Sequence, residues 1–172
     1  MGEIVLRDRL AQEGIDDVVV SSAGVSAEES GNPIDRRAAR VLCEHGHELP
    51  RHDAHRATDD ELRVADLILA MTTGHARALR PMLARLGQPL EKVHLWREFD
   101  GTTDVASGGV FGPGGVLEED SARRSQSANL YQSGGSYDVP DPWYGSEEGF
   151  HETYDVVDRG ARGLVAFLKA AR

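Results

Sequence analysis

Three short apolar runs, each separated from the next by segments with helical spacing, constrain the fold of this chain more than any other feature. Asp17-Val-Val-Val-Ser-Ser-Ala-Gly24 is a β-branched run ending in small residues, Asp66-Leu-Ile-Leu-Ala-Met71 is a second, and Lys92-Val-His-Leu-Trp-Arg-Glu-Phe99 is a shorter third. Continuously apolar runs of this length suit strands covered on both faces, the situation of a parallel sheet. Before the first run, Ile4, Val5, Leu6 and Leu10 fall near helical spacing and Gly14 sits where a helix would stop, so Met1 to Glu13 reads as a helix already under way at its first residue. Ile34 to Glu44 reads as a helix stopped at Gly46, and Thr58 with Glu61 has the form of a capping box that starts a short helix. A further helix runs through Ala76, Leu79, Met82, Leu83 and Leu86. Phe150 to Ala171 carries Tyr154, Val157, Ala161, Leu164, Val165 and Leu168 along one face of a long helix. Strands alternating with helices predict an α/β fold with a parallel sheet and right-handed crossovers.

Composition narrows the partners. The 172 residues hold 19 Lys and Arg against 29 Asp and Glu, a net charge of −10, and such a field repels polyanions, so nucleic acid and anionic membrane surfaces are excluded as main partners. The longest apolar run, Leu67 to Met71, is far short of the roughly 20 residues needed to span a bilayer, and no signal-peptide profile opens the chain. A single cysteine, Cys43, excludes a disulfide framework and a multi-thiolate zinc site and suits a reducing cytoplasm. Cys43 lies within the Ile34 to Glu44 helix, where the role of a small buried hydrophobe is expected.

Residues 101–137 break the alternation. The segment has 8 Gly and 6 Ser among 37 residues and no sustained period, so a disordered insertion within a single 1–172 domain is expected, with gating of the residues that follow as the alternative. Those residues are Asp138-Val-Pro-Asp-Pro-Trp-Tyr-Gly145. Two prolines fix φ and bias their predecessors to extended geometry, which holds Asp141 on a stiff loop beside two large rings.

The order of these pieces resembles the low-molecular-weight protein tyrosine phosphatases. The resemblance rests on Ser21-Ser-Ala-Gly24, Gly31-Asn-Pro33 with Asp35-Arg36, Val41-Leu42 with His45-Gly46, His52, Thr58, Asp66 to Met71, Asp138 to Gly145, Gly149-Phe150 and Tyr154-Asp155. It implies an α/β three-layer sandwich around a small, mostly parallel, doubly wound sheet. It further implies a hydrolase acting on a phosphotyrosine-containing protein or a small aryl phosphate, with neither a metal nor an organic cofactor. By this resemblance Asp141 is the general acid that protonates the leaving phenolate and then the base toward water. Trp143 and Tyr144 match the rings that line the cleft, and Ser22 and His52 match positions that support the phosphate-binding loop.

One piece of the family pattern is not in the sequence. Family members carry an apolar strand leading into a Cys-x5-Arg-Ser/Thr-Pro loop, whose thiolate attacks phosphorus while backbone N–H groups and the arginine hold the phosphate. Seven residues separate Cys43 from Arg51, so these residues do not form that loop. The expectation is that the chain as written is inactive and that an active gene product starts upstream of Met1. A non-catalytic binding protein is the alternative, and an arsenate reductase, which needs further cysteines for disulfide exchange, is the weaker one. The missing strand is central in the family sheet, and each unsatisfied buried polar group costs about 1–3 kcal/mol against a total stability of about 5–15 kcal/mol. Poor stability is therefore expected unless a partner supplies the strand.

Overall fold

The computed structural model describes residues 1–121, 136–142 and 147–172. In chain order the elements are α1 (Gly2–Gln12), α2 (Arg36–Glu44), α3 (Asp59–Val64), β1 (Ile68–Ala70), α4 (Thr73–Arg85), β2 (Val93–Leu95) and α5 (Glu147–Ala170), with short 3-10 turns at Trp96–Glu98 and Glu118–Ser121. The chain divides into two compact units, one formed by Met1–Ala57 with Pro140–Arg172, the other by Thr58–Val139. Among the described residues, no helix is long and apolar enough to cross a membrane.

The first unit is built on helices. α1 and α2 each pack on α5. α1 buries Ile4, Val5, Leu6 and Leu10, α2 buries Ala38, Val41 and Leu42, and α5 answers with Phe150, Tyr154, Val157, Ala161, Leu164 and Val165. Each such aliphatic side chain contributes roughly 1.5–3 kcal/mol when fully buried. Asp35 starts α2 by accepting from the Arg37 and Ala38 N–H groups at 2.7 and 3.4 Å. α1 and α2 stop in the same way: Gly14 (φ 66°) and Gly46 (φ 81°) adopt the left-handed conformation, and the next residue's N–H turns back on the helix. Ile15 donates to the Leu10 carbonyl at 2.9 Å and His47 to the Leu42 carbonyl at 3.0 Å. Both residues are thereby tucked into the interior.

The second unit is the α/β part. β1 and β2 pair in parallel, with Ile68 opposite Val93, Leu69 opposite His94 and Ala70 opposite Leu95, and α4 packs on both. The predicted capping box forms: Thr58 Oγ1 accepts from Glu61 N at 3.2 Å and Glu61 Oε2 accepts from Thr58 N at 2.8 Å. Lys92 is buried and its ammonium donates to the carbonyls of Leu62 and Ala65 at the end of α3 and to Gln88 Oε1, at 2.7, 3.1 and 3.0 Å. Two carbonyls at a helix C-terminus and one side-chain amide oxygen accept from the buried ammonium without a carboxylate.

Three expectations need correction. The run at 17–22 is not a strand: residues 17–23 join no ladder and Val19 is 96% exposed, because a strand exists only where a neighbour takes its N–H and C=O groups. The third run stops at Leu95, since the buried Glu98 carboxylate accepts the Leu95 N–H at 2.5 Å and bends the chain into a turn. Of the Gly-rich segment expected as an insertion at 101–137, residues 122–135 lie outside the described ones, and the stretch after residue 105 packs back on β2. Val110 donates to the Val93 carbonyl and Leu117 to that of Val110, each at 2.8 Å, and Ala106, Val110, Phe111 and Leu117 are buried. Its glycines allow close packing of backbone on backbone, for a Cβ on Gly112 would lie 2.3 Å from the Gly108 carbonyl oxygen. Cys43 is exposed, because α2 turns Ala38, Val41 and Leu42 inward and leaves residue 43 off that face.

Candidate active site

Ser22 and His52 come from separate loops that are stitched together by backbone bonds. Gly24 donates to the His55 carbonyl at 2.8 Å and Ala57 to that of Gly24 at 2.9 Å, while Gly31 and Asn32 exchange bonds with Ala54 at 2.7 and 2.9 Å. This registration brings both side chains to one carboxylate, Glu3 in the first turn of α1. Ser22 Oγ donates to Glu3 Oε2 at 2.5 Å, and His52 Nδ1 lies 3.7 Å from the same oxygen. Arg7, one turn along α1, pairs with Oε1 and also donates to the Val20 carbonyl at 3.3 Å. Glu3 is only 14% exposed, so the screening that makes surface pairs weak is much reduced here. Sequence reasoning named Ser22 and His52 and missed Glu3. An acidic residue in the first turn of a helix reads as a favourable partner of the helix dipole, and nothing in its spacing marks it as the meeting point of two loops.

Asp141 lies on a segment held at each residue before it. In the second unit, the buried Asp138 carboxylate accepts the Thr73 N–H at the start of α4 at 2.7 Å, and Val139 N donates to the Met71 carbonyl at 2.8 Å. Arg97 Nη1 donates to the Asp138 carbonyl at 3.4 Å, so residue 138 is gripped by side chain and main chain. Asp138 Oδ2 is buried with no hydrogen-bond partner. In the first unit, the Thr153 hydroxyl, on α5, lies 3.0 Å from the Pro140 carbonyl and 2.9 Å from that of Gly149. Pro142 then sits close to Gly149, where a Cβ would meet its ring at 3.3 Å. The stiffness expected from two prolines is thus reinforced from α5. Asp141 itself is exposed at the end of this clamp. Trp143 and Tyr144 lie outside the described residues.

An exposed aspartate follows Pro140, and a serine and a histidine are gathered at the start of α1. The family model for low molecular weight phosphotyrosine protein phosphatases matches residues 1–130 and 117–172. This chain belongs to that family. A low molecular weight protein-tyrosine-phosphatase of Streptomyces coelicolor is 31% identical over 98% of this chain and 85% of its own length. The crystal structure of a protein tyrosine phosphatase from Entamoeba histolytica superposes with a TM-score of 0.71 at 18% identity, covering 99% of this chain and 88% of that one. A structure of the arginine phosphatase YwlE is 25% identical with a TM-score of 0.67, over 99% of this chain and 88% of its own. The phosphatase fold of these relatives is an α/β fold with a parallel sheet, as found here.

Proposed function

We propose that this phosphatase domain hydrolyses phosphotyrosine monoesters through a cysteinyl-phosphate intermediate, with Asp141 as general acid and base. The reading is carried by the family match along the chain together with the position of Asp141 directly after Pro140, whose carbonyl the Thr153 hydroxyl reaches. A thiolate attacks phosphorus and the bond to the aryl oxygen breaks while Asp141 gives its proton to that oxygen. In the second step the Asp141 carboxylate takes a proton from water, whose oxygen attacks phosphorus, and inorganic phosphate leaves as the thiolate is restored. A phenolate leaves with a pKa near 10, so proton donation is worth about 10²–10⁴ in rate. Trp143 and Tyr144 would stack against the substrate ring, contributing roughly 0.5–1.5 kcal/mol. Ser22 and His52 would support the phosphate loop from their common anchor on Glu3.

No Cys-x5-Arg occurs among the 172, and Cys43 sits in α2 with a glutamate and two histidines in place of an anion-binding turn. The 172-residue chain alone is therefore expected to leave p-nitrophenyl phosphate intact, whereas the chain fused behind an apolar strand and Cys-x5-Arg-Ser/Thr-Pro loop of the family pattern gains activity. Turnover by the unfused chain that disappears in Cys43→Ser would overturn this assignment.

In the fused protein Asp141→Asn is expected to leave KM nearly unchanged and to lower kcat by about 10²–10⁴ for phosphotyrosine, with a much smaller loss for aryl esters of low leaving-group pKa. Equal turnover of both forms on phosphotyrosine would remove Asp141 from the acid role. Phosphoarginine run beside phosphotyrosine fixes the substrate class, with phosphotyrosine expected to be preferred. The single cysteine accords with a cytoplasmic setting.

A further inference from the structure

A buried chain of hydrogen bonds crosses the first unit from α1 to α5 and belongs to none of the residues placed in the chemistry above. His47, set inside by the Gly46 turn, has its Nδ1 2.5 Å from Asp8 Oδ2 on α1 and its Nε2 2.8 Å from the Tyr154 hydroxyl on α5. The His47 side chain is 5% exposed. A carboxylate can only accept, so Nδ1 carries a proton, and in the neutral imidazole Nε2 accepts from the phenol. The phenol is kept protonated: burial first, and then Asp158, push the Tyr154 hydroxyl above its ordinary pKa, with Arg9 and Arg162 opposing and Asp155 adding to it. His45 stacks on the Tyr154 ring at 3.8 Å and 16°.

Tyr154 follows Thr153, the residue whose hydroxyl reaches the Pro140 carbonyl. Asp8, His47, Tyr154, Thr153 and Pro140 therefore form a continuous path that ends one peptide bond before Asp141. We propose that His47 is a positioning residue for the acid loop, fixing through Tyr154 the turn of α5 from which Thr153 holds the Pro140 carbonyl, and that protonation of His47 shifts that hold. This rests on the reading of Asp141 given above only for its consequence in catalysis.

The physical step is a reversal of polarity. Protonated Nε2 becomes a donor, so the Tyr154 hydroxyl must turn from donating to accepting, and its own hydrogen loses its buried partner. The new positive charge faces Asp8 and Arg9 on α1, His45 and Glu48 beside it on the segment after α2, and His151, Tyr154, Asp155, Asp158 and Arg162 on α5. Arg9 and Arg162 are both occupied by the buried Asp158, at 2.6 and 2.8 Å, so the nearest uncommitted counter-charge is Asp8.

The test follows two nuclei through one titration. In the ¹⁵N-labelled 172-residue chain, the Asp141 amide signal is expected to show a step with the same midpoint as the His47 ring signals. His47→Gln removes that step. Thr153→Val leaves the His47 midpoint in place and removes the step at Asp141, a split that a merely structural histidine does not produce. Should His47→Gln fail to fold, Tyr154→Phe keeps the ring and its Asp8 partner and is expected to lose the step as well. The proposal is overturned if the Asp141 amide has no step at the His47 midpoint, or if the step survives any of these variants. The amide reports the coupling whatever Asp141 does in catalysis, so failure here is distinct from failure of the leaving-group assay on Asp141→Asn.

Discussion

Glu3 gathers a hydroxyl, an imidazole and a guanidinium on one largely buried carboxylate, and its removal leaves Ser22 and His52, from two loops, and Arg7, from α1 itself, without a common partner. Hydrogen bonds to a charged group are worth about 1.5–3 kcal/mol each in buried settings, and the partial exposure of Arg7 and His52 reduces their share. Glu3→Ala is expected to lower the unfolding free energy by about 1–3 kcal/mol, read as a shift in denaturant midpoint at constant slope. A change below about half a kcal/mol would mean that the loops are held by their backbone bonds alone. Legibility at this scale follows chemistry. Ser22, His52 and Asp141 stand in recognisable short strings, so the resemblance could name them. Glu3, His47, Thr153 and the buried Lys92 have no local string, because what makes them matter is a partner tens of residues away. Cys43 differs from its expected burial because Ala38, Val41 and Leu42 define the inward face of α2 and residue 43 falls outside it.

At the scale of elements, helix ends were the most legible parts. Gly14, Gly46 and the Thr58–Glu61 pair act within a few residues, so sequence and structure agree there. Strands fared worse: residues 17–22 have the composition of a strand and lack the partner that makes one, and the end of β2 is set by Glu98, a side chain outside the run. The glycines of 101–121 are compatible with close approach as well as with disorder, and the backbone bond from Val110 to Val93 is one such approach. Asp35 offers a test that depends on pH. The Arg37 guanidinium, with burial opposing, holds the Asp35 carboxyl below its ordinary value. A lowered folded-state pKa means stability present above the unfolded value near 4 and lost as pH falls through the folded one. Asp35→Ala should thus cost about 0.5–2 kcal/mol at pH 7, and the difference from the parent should shrink in melts taken through pH 4 to 2. A gap that stays constant over that range would assign the cap to geometry and not to charge.

The molecule as a whole is assembled from a continuous unit and a discontinuous one. Thr58–Val139 is a single stretch, while the helical unit joins the two ends of the chain, with α1 and α2 both packed on α5. Truncation before Glu147 is expected to abolish the cooperative unfolding of α1 and α2 and to raise binding of a hydrophobic dye, since Ile4, Val5, Leu6, Val41 and Leu42 lose their cover. Retention of a sharp transition reported by α1 would show that α1 and α2 suffice for each other.

Synthesis adds a consequence of the same arrangement. The residues of α5 that cover α1 are made more than a hundred residues after it, so α1 emerges with its apolar side chains unburied. At roughly 5–20 residues per second, the interval between completing α1 and completing α5 is on the order of ten seconds or more, a window in which a nascent chain of this kind is open to chaperones and to its neighbours on a polysome.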